Sequence, residues 1–461
     1  MTSDHAAMTP GTTDGSVRPI RGQLERLLCP LELRGTTPRG TTPRSPEMLQ
    51  RGDWSLYATP APAEGEPTGE PFVLRDGSEL FVVRDADGRL RAPFDLEEAF
   101  ANYITEAFAA ASGNTRLSPM QLALFYRVKR AIPRSIQLSA RRVLVRRQGV
   151  PSTPAWPLDE GVGRLLELYA LTLLDNERTE LAFRWFWPEQ HRAAIILTHD
   201  VESEDGIRLA LELADIEQEL GFRSAFNFGG WYSVDEGLLS ELRSRGFEIG
   251  LHGLTHDRTL FASRTAFEER LPLLQELSER LAAVGFRSPA THRVHEWLPE
   301  LPIEYDCTIP HSDPYEPQPG GCCSLWPFFL GESVVELPYT LPQDHTLLTV
   351  LGHEGPDLWV DTADAIARQF GLIQCVSHPD PGYLGDHDKR AIYAEFLQTM
   401  SERPHIWRAL PRDVARWWRR RDSDNGMPWP EGLIVGQRDG RVSIEPPQWV
   451  SGASEVIDAR R

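Results

Sequence analysis

The chain has 461 residues, of which 41% are hydrophobic, and this length is enough to bury at least one sizeable core. Its formal net charge of −19 argues against nucleic acid as the main partner, because binding to a phosphate backbone needs a broad basic surface. No apolar stretch has the length of a signal peptide or a membrane helix, and the five scattered cysteines contain no C-x-x-C pair, so we expect a cytoplasmic protein without a disulfide framework or a thiolate zinc site.

The first part of the chain divides into a leader and an extension. Residues 1–50 are rich in Thr, Pro, Gly and Arg and repeat the pentapeptide GTTPR, which predicts a flexible leader. Residues 51–190 are predicted to form an α+β extension. Within it, EPFVLRDGSELFVVRDADGRL indicates two strands joined by an Asp-Gly turn, and DLEEAFANYITEAFAAASG indicates a helix that ends at Gly113. We expect the extension to pack against the rest of the chain, because it carries no catalytic motif of its own.

A basic stretch within the extension, residues 127–147, contains no acidic residue and interleaves Arg and Lys with Val, Ile and Leu. One interpretation is a helix that lies on an anionic membrane surface, which would give the protein a peripheral membrane contact. The other is the solvated face of a helix that packs against the main domain.

The main domain is predicted over residues 191–421, where short apolar runs alternate with amphipathic helices, as is typical of an α/β domain. Functional groups in such a barrel-like parallel sheet collect at the carboxyl ends of the strands. Residues 422–461 include GLIVGQRDGRVSIE, which predicts a small C-terminal hairpin. The predicted strands are AAIILT, SAFNFGG, FEIGLH, VVELPYT and GLIQCVSH, and three of the helices are predicted to end on glycine, at Gly221, Gly285 and Gly371.

Two predicted strands end in residues that can bind a metal. Asp200 and Glu202 emerge where AAIILT enters a loop, and they would share one face of an extended strand. A buried pair of acids needs a cation or protons to neutralise it, so this pair suggests metal binding or a shared proton. His252 ends FEIGLH and His256 follows four residues later, a spacing at which two imidazoles can face one cation.

Two further strand ends supply the remaining groups for hydrolysis. Arg287 lies in GFRSPATH, where a fixed cation can orient a carboxylate or an oxyanion. His378 ends GLIQCVSH, and an imidazole close to a metal-activated water is a suitable proton donor to a leaving group. Each residue alone is a weak signal, but together with the acids and the two histidines they predict a metal-assisted hydrolysis site.

The motifs T-H-D-V-E, H-G-L-T-H, R-S-P and S-H-P-D resemble, in this order, the successive motifs of the polysaccharide deacetylase (NodB-homology) family, over about residues 193–421. The resemblance implies a distorted (β/α) barrel that removes N- or O-linked acetyl groups from sugars with a divalent metal. It also implies roles for individual residues: His252 and His256 as metal ligands, Asp200 as the general base, Arg287 as a group that tunes this base, and His378 as the general acid.

The first motif departs from the family pattern. Two adjacent aspartates, base and then ligand, are common in the family, but Val201 occupies the second position here. Glu202 is our preferred replacement ligand, which leaves Asp200 as the base; the alternative is that Asp200 coordinates the metal. Imidazole and carboxylate ligands suit zinc without excluding other divalent metals.

A loop from Tyr305 to Pro338 is dense in turn residues and aromatics, a composition that suits the wall of a sugar-binding groove. The resemblance places Asp306 where a family acid supports the catalytic histidine. Trp326 is a candidate for stacking on a sugar ring, although ordinary core packing is the competing interpretation for Trp326, Phe328 and Phe329. The other candidates for the rim of the groove are His311, Asp313 and Glu336.

Three functions are compatible with these motifs. The first is a hydrolase of acetylated carbohydrates. The second is a binding or regulatory protein that keeps the barrel without catalysis, an interpretation that rests on Val201 and on the large extension. The third is an amidohydrolase that acts on a non-sugar C–N bond, because the same metal and base serve any polarised amide.

Overall fold

The computed structural model describes residues 22–30, 45–108, 142, 145, 153–423, 428–437 and 441–447. The predicted leader lies outside these residues except for 22–30 and 45–50, and the basic stretch 127–147 lies outside them except for Arg142 and Val145. Among the helices of the described part, none is long and apolar enough to cross a bilayer.

The extension begins with an antiparallel sheet in the order β2-β1-β3-β4-β5. The predicted Asp-Gly turn joins β3 to β4, with Gly77 at φ +81° and the Asp76 carboxylate accepting from the amide of Ser78 at 2.8 Å. Asp95 caps the following helix, α2 (Leu96–Ile104), which is interrupted after Ile104, because Glu106 adopts a left-handed conformation at φ +54°. The predicted helix end at Gly113 lies outside the described residues. The elements are β1 (Glu47–Arg51), β2 (Trp54–Ala58), β3 (Glu66–Val73), β4 (Glu79–Arg84), β5 (Leu90–Arg91), α2 (Leu96–Ile104) and α3 (Gly161–Thr172).

A short helix, α1 (Gln23–Leu28), occupies a segment for which the sequence predicted a flexible leader. Its side chains Leu24, Leu27 and Leu28 are buried in the common core, and the Glu97 carboxylate accepts from the amide of Leu24 at 3.1 Å. The i, i+3, i+4 spacing of these leucines is the apolar stripe of an amphipathic helix, which the composition of the surrounding sequence obscured.

The main domain is built on a curled, nine-stranded sheet in the order β12-β13-β11-β10-β9-β8-β7-β14, and β15 pairs with the first half of β7. All neighbouring strands are parallel except β12 and β13. Leu341, in the segment after β13, donates to the carbonyl of Gln374 in β14 at 3.1 Å, so the sheet closes on itself through an irregular edge. The predicted distorted α/β barrel is confirmed. The strands are β7 (Ala193–Val201), β8 (Ala225–Phe228), β9 (Glu248–Leu251), β10 (Gly285–Phe286), β11 (Tyr305–Asp306), β12 (Phe328–Leu330), β13 (Val334–Glu336), β14 (Leu372–Ser377) and β15 (Ile406–Arg408).

Amphipathic helices cover the barrel, and their apolar faces join one continuous core with the extension. They are α4 (Glu204–Glu219), α5 (Glu236–Ser244), α6 (Arg264–Leu281), α7 (Asp357–Arg368), α8 (His387–Ser401) and α9 (Pro411–Asp422). Shorter helical turns span Pro188–Gln190, Thr259–Phe261, Pro289–Thr291, Leu298–Glu300 and His345–Leu351. The predicted C-terminal hairpin is present as β16 (Glu431–Gly436) and β17 (Val442–Glu445), and it extends β6 (Glu180–Arg184) of the extension into a three-stranded sheet.

The predicted glycine ends of the helices are correct at one position of three. Gly221 follows α4 at φ +77°, but the left-handed residues after α6 and α7 are Ala282 and Phe370. Gly285 instead opens β10, where a Cβ would lie 1.9 Å from the ring of Tyr305. Close approach of a neighbouring side chain, and not backbone conformation, therefore requires this glycine.

Candidate metal centre

The end of β7 determines which acids face the barrel interior. Thr198 accepts from the buried guanidinium of Arg287 at 3.0 Å, whereas the next residue, His199, contacts Glu217 of α4 on the outside at 2.7 Å. The alternation of a strand therefore directs Asp200 inward and Val201 outward, and Val201 is part of the hydrophobic core. Val201 thus has a packing role, and Glu202 is the next residue able to reach the interior.

Three potential metal ligands converge at the carboxyl edge of the sheet. Among the described residues, Glu202, His252 and His256 offer ligand atoms that all lie within 4.8 Å of one another. Glu202 Oε1 is 2.7 Å from His256 Nε2 and 3.9 Å from His252 Nε2. One carboxylate and two imidazoles form a donor set that divalent metals, zinc included, accept readily.

His252 is oriented for coordination. Its Nδ1 donates to the backbone carbonyl of Arg287 at 3.0 Å, which fixes the ring and leaves the lone pair on Nε2. This Nε2 atom is buried and has no hydrogen-bond partner among the described residues. A buried acceptor without a partner is costly, and a cation bound there would satisfy it, so the residues present fit a divalent metal.

The electrostatics of these residues favour a charged pair of Glu202 and His256. Burial opposes ionisation of Glu202, but contacts with His252 and His256 hold its pKa well below its ordinary value. Burial likewise opposes a charge on His256, but Glu202 raises the pKa of this imidazole. Because a ligand imidazole must be neutral, a metal that bound here would displace the His256 proton, and its affinity would fall at acidic pH.

Asp200 lies beside the three ligands but is held by a different set of contacts. Its Oδ1 accepts from the side-chain amide of Asn227 at 2.8 Å and lies 3.4 Å from Arg287 Nε. The His252 nitrogen nearest to Asp200 is Nδ1, 3.8 Å from Oδ1, and this nitrogen already donates to the carbonyl of Arg287. The geometry therefore places Asp200 next to the metal position in a setting suited to a base, with Asn227, a residue that the sequence did not indicate, as its partner.

His378 is supported by Asp344 and not by Asp306. His378 Nδ1 donates to Asp344 Oδ1 at 2.8 Å, and the His378 amide donates to the other carboxylate oxygen at 2.9 Å. Burial alone would lower the pKa of His378, but Asp344 raises it to about 10. Because Nδ1 donates to Asp344, the proton that His378 can transfer is the one on Nε2. This nitrogen lies 3.8 Å from Glu202 Oε1 and therefore faces the candidate ligands.

We expect Asp344→Asn to move the alkaline limb of the pH dependence of kcat to lower pH. A general acid must be protonated, so activity falls as pH rises through its pKa. Loss of a partner carboxylate at this distance lowers an imidazole pKa by about 1–3, and burial, which also lowers the pKa of His378, is then opposed less strongly, by Glu202 and Asp200. A bound dication would also lower the pKa of His378, in the wild-type protein and in the variant alike. Steady-state kinetics from about pH 5 to about pH 10 measure the shift, and superimposable profiles would contradict the role of Asp344.

The predicted roles of Asp306 and Glu336 are corrected by their position inside the barrel. They are register partners on β11 and β13 and are completely buried, so Glu336 does not lie on a rim and Asp306 contacts Thr308 instead of His378. Burial raises the pKa of Glu336 well above its ordinary value and the Asp306 carboxylate raises it further, so the pair shares a proton. The pair therefore belongs to the buried interior of the barrel and does not line a substrate surface.

The predicted aromatic groove is also corrected. Trp326 is 3% exposed and donates to the carbonyl of Phe370 at 3.2 Å, so it belongs to the core, as do Phe328 and Phe329. Asp313 is buried and accepts from the hydroxyl of Tyr339, in the segment after β13, at 3.1 Å. His311 is buried and accepts from the amide of Asp159 in the extension. These residues stabilise the loop and do not line an open surface.

Two residues to which the sequence analysis assigned no role, Trp231 and Asp380, contact the candidate metal ligands. The indole of Trp231, partly exposed, lies 5.4 Å from the ring of His256 and 5.8 Å from that of His252, and its nitrogen donates to the Glu202 carbonyl at 3.3 Å. Asp380, in the S-H-P-D motif, accepts from the amide of Glu202 at 3.0 Å. Their positions just after β8 and β14 are the signal that could have identified them.

No family model matches the chain, and no curated protein matches it. Several solved structures resemble this chain in fold. A Mycobacterium smegmatis protein assigned to the polysaccharide deacetylases is 20% identical with a TM-score of 0.42, and the match covers 52% of this chain and 94% of that one. PuuE allantoinase is 16% identical with a TM-score of 0.42, covering 51% and 93%. A family 4 carbohydrate esterase from Streptomyces lividans is 12% identical with a TM-score of 0.31, covering 47% and 92%. Each is a likeness of fold over about half of this chain.

Proposed function

We propose that this protein is a metal-dependent hydrolase that removes acetyl groups, N- or O-linked, from a carbohydrate. The observation that supports the proposal best is the convergence of Glu202, His252 and His256 within 4.8 Å. The Asp200 carboxylate lies 3.8 Å from His252, and the His378 imidazole lies 3.8 Å from Glu202. A base, an acid and a set of metal ligands at one sheet edge are the parts that acyl hydrolysis needs.

When bound, a divalent cation such as zinc polarises the acyl carbonyl and lowers the pKa of water. Asp200 accepts the proton of the water that attacks the carbonyl carbon, and Arg287, with its Nε 3.4 Å from Asp200 Oδ1, holds this carboxylate in place. His378 donates its Nε2 proton to the amine or alcohol that departs when the C–N or C–O bond breaks. Asp344 then stabilises the orientation of His378 for the next proton.

A carbohydrate substrate is favoured by the order of the four motifs and by the partly exposed indole of Trp231 beside the ligands, since an aromatic face can pack against a sugar ring. One observation favours a second candidate, an amidohydrolase of a small non-sugar C–N bond. The aromatic groove expected from Trp326 and its neighbours is core, so the described residues offer fewer contacts to a long polymer. Val201, which motivated a non-catalytic interpretation, packs outward, and Glu202 supplies the missing carboxylate.

The test is acetate release by the full chain loaded with zinc, nickel or cobalt. Substrates are N-acetylglucosamine oligomers, acetylated esters, and a panel of linear and cyclic amides. We expect release of acetate from an acetylated sugar that a chelator abolishes and added metal restores. Turnover of only the non-sugar amides would select the second candidate, and acetate release insensitive to chelation would reject the mechanism.

A further inference from the structure

The carboxylate of Glu106, in the extension, contacts the segment that follows β10 of the barrel. Arg293 donates to this carboxylate through two nitrogens, Nε at 2.8 Å and Nη2 at 2.6 Å, and both side chains are completely buried. The backbone of Gly320 lies so close that a Cβ there would be 2.2 Å from Glu106 Oε1. A bidentate pair in this setting is geometrically strict, because neither charge has access to water if the other moves.

Arg293, held by Glu106, also hydrogen-bonds to a turn whose backbone conformation is unfavourable. The turn, residues 288–293, contains Ala290 at φ +50° and Thr291 at φ +52°, which side chains with a Cβ rarely adopt. The third guanidinium nitrogen of Arg293 donates to the carbonyl of Thr291 at 2.9 Å. The Gln318 side chain accepts from the Arg293 amide at 3.1 Å and donates to its carbonyl at 3.2 Å.

The same turn adjoins both histidine ligands. Arg287, immediately before it, supplies the carbonyl that accepts from His252 Nδ1 at 3.0 Å. Pro289 packs against Gly253, the residue that follows His252 on the way to His256; a Cβ on Gly253, at φ +84°, would lie 3.1 Å from Pro289 Cδ. A displacement of the turn therefore changes the orientation of His252 and the path of the chain that leads to His256.

From these contacts we infer that Glu106 is a positioning residue for the metal centre, so that the extension completes the site through Arg293 and the turn 288–293. The inference depends on the metal site of the proposed function and goes beyond it, because it gives the extension a part in metal binding. It follows that metal affinity responds to a residue that touches no ligand.

The experiment uses the full chain and two changes at this contact, with a matched control. Glu106→Gln removes the charge that holds Arg293. Gln318→Ala removes only the two side-chain hydrogen bonds to the Arg293 backbone and leaves no buried charge unpaired. Asp422→Asn is the control: Asp422 accepts from Arg26 of α1 at 2.7 Å, so it also joins the start of the chain to the barrel, and it makes none of the described contacts with the metal centre.

The readouts are Co²⁺ affinity, measured by competition with a chromophoric chelator, and the visible spectrum of the Co²⁺-loaded protein, each below the melting temperature of the variant. We expect Glu106→Gln to weaken Co²⁺ binding by up to about 10-fold, the lower end of the effect of a residue that contacts a ligand directly, and to change the spectrum. Gln318→Ala should act in the same direction, and Asp422→Asn should lower the melting temperature while affinity and spectrum stay unchanged.

Wild-type affinity and spectrum in Glu106→Gln, or in Gln318→Ala if the first variant does not fold, would overturn the inference while the proposed function stands. An equal loss of affinity in Asp422→Asn would overturn it too, since general loosening would then explain the effect. Failure of the wild-type protein to bind Co²⁺ would remove the proposed function itself, and the inference with it.

Discussion

His252→Ala is expected to reduce acetate release to background and to remove stoichiometric metal binding. His252 Nε2 is a buried acceptor with no partner among the described residues, and Nδ1 is already committed to Arg287. Its loss therefore removes a ligand and not an outer contact, so the fall in affinity should exceed the roughly 10–100-fold that an outer-shell change costs. Metal content after dialysis and acetate release measure the two effects.

The matched control is His387→Ala, because this imidazole is 87% exposed and lies at the start of α8, outside the metal centre. The control should keep its metal and its activity. A His252→Ala protein that is folded, loads one metal ion and still releases acetate would contradict the assignment of the site.

Asp200→Asn and Glu202→Gln are expected to separate the base from the ligand. Asn at position 200 retains an oxygen that can accept from Asn227, so the local structure should persist while the proton acceptor is lost. We expect kcat to fall by about 10²–10⁴, the usual contribution of a general base, with metal still bound. Glu202→Gln should instead lose metal, because Glu202 lies 2.7 Å from His256 and is the anionic member of the ligand set.

Metal titration and single-turnover acetate release distinguish the two variants. If Asp200→Asn loses the metal and Glu202→Gln keeps it, the roles are exchanged and the alternative left open by the T-H-D-V-E motif is correct. Equal loss of metal in both variants would indicate that the two carboxylates coordinate together.

Local sequence pattern is enough to predict the elements of the barrel and the edge at which its polar residues collect. Short apolar runs such as AAIILT indicate buried strands, and amphipathic helices alternate with them along the chain, so the parallel barrel followed from local pattern. Asp200, His252, Arg287 and His378 were found because they lie at, or directly after, the carboxyl ends of such strands, which a parallel sheet brings to one side.

Which side chains meet depends on contacts between distant parts of the chain. Asp306 and Asp344 are both single acids in the sequence, but the first faces Glu336 inside the barrel and the second reaches His378 after the chain has crossed to β14. The composition around Trp326 could not reveal its burial, which depends on partners from the extension and from distant parts of the barrel. Pairing between residues far apart in the chain is set by the closure of the barrel and the packing of the extension, and local periodicity carries no information about either.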